Sequence, residues 1–250
     1  MTGELKNFIS ENIELINENT KESWEKLYNK INYAPFWGKL TGEFTQAILD
    51  AKINDPASIM AHIPENYLSN LTIQEYRIPD NINTIGREAF ANCASLTNLV
   101  IPDSVTSIGK HAFAYCNSLT NVVIPNNITY FGEYAFVDCK RLMSVTINKG
   151  VKSIGEYAFS ICSNLTEIII PNSVISIDDG AFYGCIGLTS ITIPNSIMNI
   201  NAYAFYGCEN LKTIIFKGTT KRWKKVNLGY LWNFKAHIEK IICTDGVIEL

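Results

Sequence analysis

The dipeptide Ala-Phe returns every 23 residues through most of this 250-residue chain, with its phenylalanine at Phe90, Phe113, Phe136, Phe159, Phe182 and Phe205. A cysteine follows three residues behind each, at Cys93, Cys116, Cys139, Cys162, Cys185 and Cys208, and a leucine three behind that, from Leu96 to Leu211. A unit this short cannot bury its own apolar face. Six of them in strict phase therefore make a solenoid, in which each turn closes its core against its neighbours.

Within one unit the pattern separates into parts. Leu96, Leu99 and Ile101 alternate with Asn98 and Val100, the period of a strand with one face inward. Pro102 ends that strand because it has no N–H to donate. Val105 and Ile108 return to the core, and the glycine column Gly86, Gly109, Gly132 and Gly155 is expected to allow a bend. Ala112, Phe113 and Cys116 then fit a short helical or extended return. The phenylalanine column can stack into one aromatic spine.

These columns resemble the BspA-like, or Treponema-type, leucine-rich repeat family, whose pattern is Ile-Pro-x-x-Val-x-x-Ile-Gly-x-x-Ala-Phe-x-x-Cys-x-x-Leu. The match covers residues 73–216. Departures are local: Asn148 and Lys217 stand for the strand-ending proline, Asp178 and Asn201 for the glycine, and Phe131 for isoleucine. The resemblance implies an α/β repeat protein, a leucine-rich-repeat solenoid with a parallel sheet, used for binding. It carries no catalytic residues to transfer.

The ends leave the period. Leu5, Phe8, Ile9, Ile13 and Ile16 lie at helical spacing, as do Trp24, Leu27, Tyr28 and Ile31; further helices are expected over 44–51 and from Asp55-Pro56 to about Ile63. Tyr67, Ile73, Tyr76 and Ile78 form a degenerate first turn. Residues 1–63 thus read as a helical N-terminal cap, 64–216 as the solenoid and 217–250 as an irregular C-terminal cap. In that last segment Ile238, Ile241 and Cys243 repeat the strand spacing, and Asp245-Gly246 suggests a two-residue hairpin turn.

Several function classes find no support. A net charge of −3 gives no global attraction to nucleic acid or anionic lipid. No apolar run is long enough for a membrane span or a secretory signal, so a cytoplasmic location is expected. One recurrent cysteine column, with Cys243 alone outside it, reads as buried thiols acting as small hydrophobes rather than disulfides. The three histidines, His62, His111 and His237, offer no zinc spacing, no cofactor motif is present, and no nucleophile–base–orienter set recurs.

Specificity must then lie where turns differ. The outward strand positions are Asn98, Asn121, Ser144, Glu167 and Ser190, beside Val100, Val123, Thr146, Ile169 and Thr192. This second row is apolar enough to be a dry recognition surface. Two other candidates compete. One is the tyrosines of the return, Tyr134, Tyr157 and Tyr203 in one column and Tyr183 and Tyr206 in another. The other is the basic segment Lys221, Arg222, Trp223, Lys224 and Lys225. The expected function is non-enzymatic recognition of another protein along the solenoid. The alternative is a bacterial or phage-encoded inhibitor or decoy of a nucleic-acid-processing enzyme that uses the basic cap.

Overall fold

The computed structural model describes residues 72–250, together with His62–Ile63, Ser69 and the isolated positions Glu11, Glu14 and Lys26. Those last three are helical and exposed. The expected helix over 44–51 and Tyr67 lie outside the described residues, as does most of the two amphipathic stripes.

Each turn contributes two strands. The longer ones are β2 (Glu75–Arg77), β4 (Asn98–Val100), β6 (Asn121–Ile124), β8 (Ser144–Ile147), β10 (Glu167–Ile169), β12 (Ser190–Ile193), β14 (Thr213–Phe216) and β16 (Lys240–Cys243). They bury alternate residues, as the sequence period requires, and stack in parallel with Val122, Val145 and Ile168 in one register row. A second parallel ladder runs beside the first. It comprises β1 (His62–Ile63), β3 (Thr84–Ile85), β5 (Ser107–Ile108), β7 (Tyr130–Phe131), β9 (Ser153–Ile154), β11 (Ser176–Ile177), β13 (Asn199–Ile200) and β15 (Asn227–Leu228). Two residues show too little alternation to announce a strand, and this ladder was not expected. It also corrects the N-terminal reading: His62–Ile63 is no helix end but pairs with Thr84–Ile85.

The third wall, the return, is neither helix nor extended chain. In the six turns from Glu88 to Gly207 two positions each are left-handed: Glu88, His111, Tyr134, Tyr157, Gly180 and Tyr203 at φ of 50° to 58°, and Asn92, Tyr115, Asp138, Ile161, Gly184 and Gly207 at 56° to 69°. Only three of the twelve are glycine, and each of the others carries strain of about 1 kcal/mol. What holds them is a ladder of its own. Tyr134, Phe136 and Asp138 donate to the carbonyls of Glu156, Ala158 and Ser160 on the next turn, each at 2.8 Å, and every turn from 88 onward repeats the trio.

Inside these walls the phenylalanines form the expected spine, fully buried, with centroids 4.9–5.9 Å apart from Phe90 to Phe205. Tyr76 and Trp232 close its ends edge-on. The glycine column does not supply a bend. A Cβ on Gly109 would lie 2.7 Å from the carbonyl carbon of Gly86, and one on Gly132 2.5 Å from that of Gly109, so the column lets successive backbones approach. The cysteines are free and buried, but they are more than small hydrophobes. Cys116, Cys139, Cys162, Cys185 and Cys208 each donate Sγ–H to the phenylalanine carbonyl of the preceding turn at 3.0–3.2 Å.

The last turn is delayed by four residues. Trp223, in the short helix α1 (Thr220–Trp223), packs edge-on against Phe216 and Trp232 and plugs the core. Strand β17 (Gly246–Glu249) turns back antiparallel on β16 through Thr244–Asp245, one residue earlier than the expected Asp245-Gly246 turn. Asp245 instead accepts the Thr220 N–H at 2.6 Å, tying the hairpin to α1.

Candidate partner-binding surface

On the face of the longer strands, Val100, Val123 and Ile169 are 37%, 54% and 51% exposed, while their neighbours Leu99, Val122 and Ile168 face the core. Asn98, Asn121, Glu167 and Ser190 are also exposed; Ser144, Thr146 and Thr192 are half-buried. Ser144 donates to Asn121 Oδ1 at 2.6 Å, which fixes the polar row. All ten expected strand-face residues therefore lie on one face, although the two threonines contribute less surface than the sequence suggests.

This face is not continuous. β10 and β12 belong to separate sheets, and the opening between them is a cleft of about 300 Å³ lined by Glu167, Ile169, Ser190 and Thr192. A second opening, of about 360 Å³, lies where β7 and β9 part. There Phe131 replaces the usual isoleucine, and its ring reaches both Phe136 and Phe159 at 6.1 and 5.7 Å. The larger ring sits where the short ladder is interrupted. Asp178, in the glycine column, accepts hydrogen bonds from Ser153 and from Ser176 (2.6 Å) beside the gap. No sequence signal marks either opening beyond the single Phe131.

The return tyrosines make one ridge, not two. His111, Tyr134 and Tyr157 stack at 4.9 Å. At Gly180 the column has no side chain, and the Tyr157 ring leans into that space to meet Tyr183 at 6.3 Å. Tyr183 then stacks on Tyr206, and Tyr203 meets Tyr206 edge-on. Burial raises the phenols of Tyr134 and Tyr157 above their ordinary value, and it lowers His111 below its own. The rings are half-buried and largely satisfy one another.

The basic segment loses its aromatic. Trp223 is only 5% exposed, and Arg222 donates into the fold, to the Ile197 carbonyl at 2.5 Å. Lys221, Lys224 and Lys225 are exposed, and Arg222 is half-buried.

The family model for the BspA type leucine rich repeat region matches residues 61–185 and 152–246, in six copies. The chain belongs to this family. Among solved structures it is similar to a leucine rich cell surface protein from Faecalibacterium prausnitzii, at 25% identity over 68% of this chain and 55% of that one, with a TM-score of 0.52. It is also similar to a leucine-rich repeat protein from Eubacterium ventriosum, at 26% identity over 67% of this chain and 44% of that one, with a TM-score of 0.61. The chain thus spans about half the length of these solved relatives. No curated protein matches it. Among the described residues, no helix is long and apolar enough to cross a membrane.

Proposed function

We propose that this BspA-type solenoid is a non-enzymatic scaffold that binds another protein on the face of its longer strands. The observation that carries the reading is the exposed row Val100, Val123 and Ile169, uncharged, set on stacked parallel strands and interrupted by a cleft beside Ile169. Flat apolar area of this kind is costly in water and is usefully covered by a partner. The half-buried tyrosine ridge already stacks on itself, so it offers less new contact. The inhibitor or decoy reading loses support because Trp223 is a core residue rather than a surface aromatic. A cytoplasmic location belongs to the same proposal; it rests on the buried free thiols, whereas one solved relative is described as a cell surface protein.

The test is site-specific photocrosslinking in extract of the source cells, with the crosslinker placed at Val123 or Ile169 and, as a control, at the exposed Met198. Adducts to the same protein from both strand-face positions and none from Met198 are expected. Adducts from Met198 alone would move the binding surface off the strand face. A charge-bearing triple variant at Val123, Thr146 and Ile169 should lose the partner while keeping its circular dichroism.

A further inference from the structure

The return wall has a direction. The peptide group that carries the Lys110 carbonyl also carries the His111 N–H, so the bond Glu88 to Lys110 continues into His111 to Glu133, Tyr134 to Glu156, Tyr157 to Asp179, Gly180 to Ala202 and Tyr203 to Tyr230. Two parallel chains do the same, one running from Phe90 through to Trp232 and one from Asn92 through to Phe234, with all bonds between 2.7 and 3.1 Å. Every N–H in these chains points toward the C-terminal end and every C=O toward the N-terminal end. Peptide dipoles aligned head to tail polarise one another and add, as they do along a helix.

The chains end at the N–H groups of Leu231, Asn233 and Lys235, which have no hydrogen-bond partner among the described residues. This end is rich in other unanswered features. Lys221, Lys224, Lys225 and Lys235 are exposed on the same terminal turn with no ion pair among the described residues, Lys235 lying over the Tyr206 ring at 5.8 Å. Tyr230 and Phe234, the last rings of the aromatic ridge, are 70% and 47% exposed. Of the acids on the terminal strands and hairpin, Glu239 pairs with Lys212 and Asp245 accepts from Thr220, while Glu249 is exposed on β17.

From this we infer that the C-terminal end of the return wall docks an acidic, partly apolar segment of a partner protein. Its carbonyl and carboxylate oxygens accept from Leu231, Asn233 and Lys235, and its apolar side chains cover Tyr230 and Phe234. A second copy related by a two-fold axis is disfavoured, because donors would face donors. Simple strand addition is disfavoured too, since a strand edge offers N–H and C=O in turn. The charge and the row of donors both call for acceptors.

Fluorescence anisotropy with the full chain tests this, using a labelled short peptide of alternating glutamate and leucine. The controls are its lysine counterpart and a single-stranded oligonucleotide. Asn233→Pro deletes the central free donor, and Lys235→Glu reverses the adjacent charge without touching the backbone. Each should weaken the acidic peptide by about tenfold or more, equivalent to about 1.4 kcal/mol, while an Ile175→Asp variant, at an exposed position outside both surfaces, binds it unchanged. The inference fails if the acidic peptide does not bind or if the lysine peptide binds as well. Tighter binding of the oligonucleotide, or loss of peptide binding in neither variant, overturns it equally.

Discussion

Replacing Phe159 by alanine removes a ring that is fully buried and lies 5.5 Å from Phe136 and 5.9 Å from Phe182. The backbone ladders on either side hold the turns about 4.8 Å apart, so the walls cannot collapse into the space. Lost transfer energy plus an unrelaxed cavity puts the cost at about 4 kcal/mol. In a stack where each turn contacts only its neighbours, that cost is local and should uncouple the turns before Phe159 from those after it. Trp223 and Trp232 sit in the last turns and report that end by fluorescence once Trp24 and Trp37 are changed to phenylalanine. Far-UV circular dichroism reports the whole stack. In urea the variant should show a dichroism transition that is lower and broader, with the fluorescence transition displaced less. A cost below about 1 kcal/mol would refute the sealed aromatic spine. A full shift that coincides in both probes would refute nearest-neighbour coupling.

The thiols and His111 carry three further outcomes. Burial pushes Cys116, Cys162 and Cys185 far above the ordinary thiol range and Cys208 to about 12, so the column should stay silent to thiol reagents until urea is added; rapid labelling in native buffer would contradict this. Because each thiol has a carbonyl to donate to, Cys162→Ser keeps a bonded hydroxyl and should cost about 1–2 kcal/mol, close to Cys162→Ala, in equilibrium urea unfolding. Burial lowers His111 below its ordinary 6.5, so the unfolded chain takes up its proton first and stability should fall as pH drops through 6.5 toward the folded value. His111→Tyr, which matches Tyr134 and Tyr157, should flatten that slope; an unchanged slope in thermal melts would place the effect elsewhere.

The strand face and the aromatic spine were legible because each rests on a strict spacing: alternation at Leu99 and Ile101, and the 23-residue recurrence of phenylalanine. The second ladder was not, since Ser107–Ile108 is too short to carry a period. The return is hidden for a different reason. Left-handed backbone is normally announced by glycine or asparagine, whereas here tyrosine, histidine, glutamate and isoleucine adopt it under the constraint of three inter-turn bonds. Glycine did mark a special column, but for close approach rather than conformational freedom. Of the candidate surface, the outward row could be listed from alternation alone; the clefts could not, because they arise from how neighbouring turns part. Trp223 resembled an exposed contact in a basic run, and only tertiary packing shows that it plugs the core.

The sheets part between β4 and β6, between β7 and β9, and between β10 and β12. Among the described residues, no junction between two turns loses more than one of its three walls. Where the longer ladder opens, the shorter one and the return stay bonded, and the reverse holds at β7 and β9. The seams are staggered as in brickwork, so no plane of weakness runs through the stack. Two of the seams lie in the strand face and one in the shorter ladder, and the return wall stays bonded across all three like the spine of a book. Pulled lengthwise, such a molecule should stretch first at these seams and break last along the unbroken spine.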